Sequence, residues 1–200
     1  MSLHLSIFSE GEEGLYLKLR QWRDKLFFPV CAFLAQQKIT PNMLSYMGVI
    51  WLLFFVYFFQ YNPWISLVFL ILHVFMDNLD GGLARYLKKD SLWGAVLDLL
   101  CDHVGFFIVF LTFMAYSFVG SFWGSVYLLN YTIFLFMVMI LRSMKVQLFP
   151  IIRSKYYVYL FFLIWLLSGG NYLDPVIIFL SVYMIVTNIF LFYKLRCSLP

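Results

Sequence analysis

Charge is scarce in this chain. Only 12% of its 200 residues are charged, against 64% hydrophobic, and the mean hydropathy is +0.88. A soluble core of this size has no use for so much apolar surface, so the composition excludes a soluble globular protein and reads as an integral membrane protein. Cysteine is sparse too: Cys31, Cys101 and Cys197 show no metal-ligand spacing, and their odd number permits no complete disulfide set. No soluble basic domain is available to carry RNA or DNA, so the formal charge of +4 fits an anionic membrane surface and no nucleic-acid partner is expected. Residues 1–13 show no signal-peptide pattern and read as a mobile start. With no long internal repeat or low-complexity segment, residues 39–200 are taken as one domain.

What the chain does contain is a series of long apolar segments. Crossing roughly 30 Å of hydrocarbon takes about 20 helical residues. Six segments qualify, at about 42–60, 63–85, 91–117, 122–144, 150–168 and 173–194, separated by turn signals such as Tyr61-Asn62-Pro63, Gly120-Ser121 and Gly169-Gly170-Asn171. The fifth is the shortest in its strongly apolar part, Tyr156 to Leu167, and Arg153 and Lys155 interrupt its beginning, so a tilted or re-entrant path is open to it. Ahead of the spans, residues 14–38 carry Leu15, Leu19, Trp22, Leu26, Val30 and Phe33 at helical spacing among Lys18, Arg20, Arg23 and Lys25. This predicts an amphipathic helix lying at the membrane interface. The expected fold is therefore all-α, with six transmembrane helices and an N-terminal interfacial helix.

In that topology all 14 Lys and Arg residues fall on one side of the membrane. Positive residues collect on the cytoplasmic side, which predicts cytoplasmic termini and places the end of the second span and the start of the third there as well.

That junction carries the chemistry. The run DNLDGGLARYLKKDSLWGAVLDLLCD, Asp77 to Asp102, sets four carboxylates, Asp77, Asp80, Asp98 and Asp102, within or beside apolar segments. An unpaired charge there costs several kcal/mol unless a partner or cation compensates it. On helices, residues three or four apart share a face, so Asp77 with Asp80 and Asp98 with Asp102 form two acidic faces. Oxygen-only, fully charged ligands suit Mg²⁺ or Mn²⁺ rather than zinc or copper. Gly81, Gly82, Ala84, Gly94 and Ala95 permit close approach of backbones or of a ligand, and Arg85 adds a cation, so the stretch reads as a metal-bridged phosphate site.

The spacing DxxDGxxARx8GxxxDxxxD is complete, from Asp77, Asp80, Gly81, Ala84 and Arg85 to Gly94, Asp98 and Asp102. At average composition it would arise by chance about once in 10^10 starting positions. It resembles the signature of the CDP-alcohol phosphotransferases, membrane enzymes of phospholipid synthesis. The resemblance implies transfer of a phosphatidyl group from CDP-diacylglycerol to an alcohol with release of CMP. It also implies two Mg²⁺ or Mn²⁺ ions on the four aspartates, Asp102 as proton acceptor, and a homodimer.

Other positions take a role from the same resemblance. By residue type Thr40 caps the first span and Pro41 takes its first helical position, and the resemblance adds a place for Thr40, Pro41 and Asn42 in the nucleotide pocket. Ser91, itself a cap for the third span, matches a CDP-lipid contact, and Gly81 and Arg85 match contacts to ribose and phosphates. Arg142, Arg153 and Lys155 match the region where relatives bind an acceptor phosphate, although the positive-inside bias explains a basic loop equally well. Their presence favours a phosphorylated polyol, glycerol 3-phosphate or inositol phosphate, as acceptor. Phosphatidylserine- and phosphatidylinositol-type synthases are the alternatives within the family. From another class, a small divalent-cation transporter would also bury aspartates, but it would require neither Gly81, Arg85 nor the Thr-Pro-Asn stretch. His73 and His103 read as packed histidines.

Overall fold

The computed structural model describes residues 10–89, 91–144, 146 and 154–198, with side chains from Trp22 onward except those of 92, 95 and 142. Among these the chain is all helical: α1 (Glu10–Gln36), α2 (Pro41–Phe59), α3 (Pro63–Tyr86), α4 (Leu92–Ala115), α5 (Ser121–Ser143), α6 (Lys155–Ser168) and α7 (Leu173–Ser198). Five helices, α2, α3, α4, α5 and α7, are long and apolar enough to cross a membrane. The sixth apolar segment is α6, whose 14 residues span only about 21 Å at 1.5 Å per residue. It is the segment whose apolar stretch is shortest in the sequence, and its expected beginning at 150–153 lies outside the described residues. The integral membrane class and the order of helices follow the sequence pattern, while α1 starts at Glu10, ahead of Gly14.

Helix ends follow local chemistry. Pro41 and Pro63 occupy first-turn positions where the missing N–H costs nothing, behind Thr40 and Asn62 as caps. The Asn62 side chain accepts from the amides of Trp64 and Ile65, at 3.0 and 3.4 Å. Two helices end on a lysine in the left-handed region, Lys38 after α1 (φ 57°) and Lys88 after α3 (φ 53°). In each, the next amide reaches back five residues, Ile39 to the Leu34 carbonyl and Lys89 to that of Ala84, both at 3.0 Å. This is the Schellman arrangement, for which glycine is the usual residue.

The chain gathers into two compact units. One, Leu19–Tyr116, contains most of α1 with α2, α3 and α4. Its centre is a stripe on α2, Leu44, Ser45, Gly48, Leu52, Phe55 and Phe59, recurring at helical spacing and buried against its neighbours. Apolar burial alone does not hold helices together in lipid, so close packing and buried polar contacts matter more. His73 of α3 supplies both. It is 4% exposed and lies between two glycines. Its Nδ1 is 3.0 Å from the Gly48 carbonyl, and because a carbonyl only accepts, Nδ1 carries the proton. On α4, a Cβ added at Gly105 would stand 2.8 Å from the His73 ring and 2.9 Å from Leu52, so only glycine fits. The packed role expected for His73 holds.

The other unit is built of α5, α6 and α7 with the first turns of α1 up to Lys18. Buried polar pairs link its helices. The Asn188 amide donates to the Asn130 carbonyl and side chain at 2.9 and 3.1 Å, and buried Tyr127 shares a 2.7 Å hydrogen bond with Ser154.

Candidate active site

The motif straddles the junction between α3 and α4, and each of its parts is placed by local structure. Helical spacing puts Asp77 and Asp80 on one face near the end of α3, and Asp98 and Asp102 on one face of α4. All four carboxylates lie within electrostatic reach of the Cys101 thiol, and Asp80 senses the charges of Asp77 and Asp102. The two acidic faces are thus brought into one neighbourhood.

Asp80 is the most deeply placed, at 3% exposed. It accepts a 2.6 Å hydrogen bond from Ser45 of α2 and a 2.5 Å one from the Gly81 amide. Neither donor carries charge, so the carboxylate's negative charge is oriented by these bonds but not neutralised by them. Ser45 was not singled out by the sequence pattern. The signal for it is its place four residues after Pro41, on the buried face of an otherwise apolar helix.

The side chains expected to meet the nucleotide also gather within this unit. Thr40 caps α2 through a 3.4 Å bond from the Met43 amide, and Ser91 caps α4 through a 3.0 Å bond from the Gly94 amide. A Cβ at Gly94 would lie 3.1 Å from Ser91 Oγ and 4.0 Å from Asn42 Oδ1, so the starts of α2 and α4 meet at Gly94. Both caps direct free amide ends of a helix to this region. Gly81 and Arg85 are adjacent one turn apart, a Cβ on Gly81 falling 3.3 Å from Arg85 Nη1.

Arg85 has a partner that sequence reasoning missed. Asp24 of α1 grips it with two hydrogen bonds, from Nε at 2.8 Å and from Nη2 at 2.5 Å. One residue earlier, Arg23 Nη1 donates to Asn78 Oδ1 at 3.1 Å, inside the DNLD run. The hint in the sequence is that Asp24 is the one acid among Lys18, Arg20, Arg23 and Lys25. Below these contacts Cys31 packs with Leu44, Leu79 and Leu83, and its sulfur lies 3.6 Å from where a Gly82 Cβ would be. Burial foremost, with the charge of Asp24 added, pushes the Cys31 thiol up, against an opposing pull from Arg85.

The expected acceptor residues belong elsewhere in the chain. Lys155 is 2% exposed in the first turn of α6, with its ammonium 5.0 Å from the centre of the Tyr156 ring. Arg153 and the side chain of Arg142 lie outside the described residues.

The donor set fits a divalent cation: four aspartates from two helices, oxygen ligands only, one of them buried against uncharged donors. As they stand, no three His, Cys, Asp or Glu side chains among the described residues form a ready metal-holding group.

Among the described residues, five long apolar helices with an acidic motif at a helix junction mark the class of multi-pass membrane proteins. The chain belongs to the CDP-alcohol phosphatidyltransferase family, whose model matches residues 38–193. Members of this family use divalent metals, CDP-alcohol substrates and a lipid bilayer. The chain is 33% identical over 102 residues to a phosphatidylinositol phosphate synthase of Cutibacterium acnes (strain DSM 16379 / KPA171202), a match covering 48% of this chain and 47% of the relative. It is 28% identical over 96 residues to a phosphatidylinositol phosphate synthase of Streptomyces avermitilis, covering 47% of this chain and 39% of the relative. An uncharacterized protein of Aquifex aeolicus (strain VF5) is 30% identical over 87 residues, covering 42% of this chain and 44% of the relative. The matches thus span less than half the length of these curated relatives.

Proposed function

We propose that this protein transfers a phosphatidyl group from CDP-diacylglycerol to a phosphorylated polyol, releasing CMP, with residues 39–200 as its catalytic domain. The observation that carries the reading is the complete family motif, Asp77 to Asp102, at the junction of α3 and α4 in a chain whose residues 38–193 match the family. Inositol phosphate is the favoured acceptor, with glycerol 3-phosphate next, because two curated relatives are phosphatidylinositol phosphate synthases.

In this mechanism the acceptor hydroxyl oxygen attacks the lipid-side phosphorus. An O–P bond forms, the P–O bond to CMP breaks, and the hydroxyl proton passes to Asp102. Asp77, Asp80, Asp98 and Asp102 would hold Mg²⁺ or Mn²⁺, two ions in all, which when bound neutralise the diphosphate and the charge developing on CMP. Ser45 and the Gly81 amide keep the Asp80 carboxylate turned in one direction. Thr40, Pro41, Asn42 and Ser91 bring two helix starts to the nucleotide, Gly94 lets those starts pack closely, and glycine at 81 leaves room for the nucleotide beside Arg85. The family resemblance assigns the acceptor phosphate to Arg142, Arg153 and Lys155, of which Lys155 is buried in the first turn of α6. The active site and both termini face the cytoplasm, where a water-soluble acceptor meets a donor whose acyl chains stay in the bilayer, and the protein works as a homodimer.

The test is CMP release by purified protein in lipid or detergent with CDP-diacylglycerol and Mg²⁺ or Mn²⁺. Acceptors are offered singly: inositol phosphate, glycerol 3-phosphate, inositol and serine. Metal-dependent release requiring inositol phosphate is expected. Release with serine or inositol instead would overturn the acceptor class, and no release with any acceptor, together with no binding of CDP-diacylglycerol, would overturn the reaction.

A further inference from the structure

The interfacial helix does more than lie beside the motif: it takes hold of the motif's cation. Asp24 binds Arg85 through Nε and Nη2 together, a two-pronged pairing that fixes the plane of the guanidinium as a single bond cannot. The remaining Nη1, which makes no hydrogen bond to the protein among the described residues, lies toward Gly81. The Gly81 amide is in turn bonded to the buried carboxylate of Asp80. The Arg85 and Asp24 side chains are 22% and 32% exposed, so the pair is partly shielded from water. Lysine in place of Arg85 would lose the planar fork and with it the orientation.

Asp24 is also not what docks α1. Arg23 reaches Asn78 independently, Asn78 is itself tied back to the Val74 carbonyl at 2.7 Å, and Cys31 sits in a core with Leu44, Leu79 and Leu83. Edge-to-face contacts of Phe27 with Phe75 and of Phe28 with Tyr86, at 5.7 and 5.3 Å between ring centres, add to the seat.

We propose that Asp24 is a positioning residue for Arg85, holding the guanidinium so that its Nη1 edge meets the diphosphate of the CDP-lipid beside Gly81. This rests on the reading of Arg85 as a phosphate contact. The sign of the effect distinguishes positioning from simple electrostatics. A carboxylate repels a diphosphate, so if net charge governed the site, neutralising Asp24 would tighten donor binding; if orientation governs it, neutralisation weakens binding.

The experiment measures CMP release against CDP-diacylglycerol concentration for the full chain and for Asp24→Asn, Asp24→Glu and Arg85→Lys. Alkylation of Cys31, read by mass spectrometry, reports whether α1 stays seated. For Asp24→Asn the KM for CDP-diacylglycerol is expected to rise about tenfold with kcat within about twofold. Asp24→Glu should recover most of the loss, and Cys31 should stay protected in both. A KM that is unchanged or lower in Asp24→Asn overturns the proposal, and so does exposure of Cys31, since Asp24 would then be only a clasp for the helix. Failure of the underlying reading looks different: Arg85→Lys with a normal KM removes the phosphate role itself, whereas an impaired Arg85→Lys beside a normal Asp24→Asn removes only the role of Asp24.

Discussion

Asp98 and Asp102 differ from asparagine by charge with little difference in size, which makes the isosteric exchange informative. We predict that Asp98→Asn or Asp102→Asn abolishes CMP release while the protein remains folded and extractable, because each removes metal-binding charge. Full activity in both would overturn the site. Ser45 acts on the same cluster from α2 through its 2.6 Å bond to Asp80. Removing such a partner of a metal-ligating carboxylate weakens metal binding by about tenfold or more. Ser45→Ala is therefore expected to shift the Mg²⁺ dependence of CMP release to about tenfold higher concentration, with full rate recovered at saturating metal. An unchanged Mg²⁺ midpoint would mean that Ser45 serves only helix packing.

Elements here are joined by close approach and by caps. Gly105 passes His73 and Leu52 with no space for a methyl group. Gly105→Ala should force α4 away from α2 and α3 and cost about 1–3 kcal/mol, the usual range for overpacking, read as a lower melting temperature in detergent. A melting temperature equal to that of the native protein would contradict the packing described for His73. The opposite change is expected at the end of α1, where Lys38 is held at φ 57°. A non-glycine residue in that region costs about 1–2 kcal/mol, partly offset by glycine's greater freedom when unfolded, so Lys38→Gly should stabilise by about 0.5 kcal/mol. A clear loss of stability would show that the lysine side chain makes up for its backbone strain.

For the whole molecule, the clustering of Lys and Arg in alternate loops predicts an orientation that chemical labelling can read. Cys197 is exposed near the end of α7 and Cys31 is buried, its thiol held up above the ordinary range. In intact cells a membrane-impermeant maleimide is expected to leave Cys197 unlabelled. After permeabilisation Cys197 should react at once and Cys31 only on denaturation. Labelling of Cys197 in intact cells would place the C-terminus outside.

The sequence by itself determined the membrane class, the order of the helices, the caps at Thr40 and Ser91 and the acidic motif. Each of these is a local matter: apolar length decides spanning, residue type decides a cap, and helical spacing decides which side chains share a face. It also reached His73 as a packed residue. Asp24 with Arg85, 61 residues apart, and Ser45 with Asp80, 35 apart, were decided only by the tertiary structure. Periodicity reports which face of a helix is apolar but not which neighbour that face meets, nor at what height along the axis. The partners of Asp80 and Arg85 come from two other helices, α2 and α1, and only the packing of those helices against α3 brings a serine to one carboxylate and an aspartate to the motif's arginine.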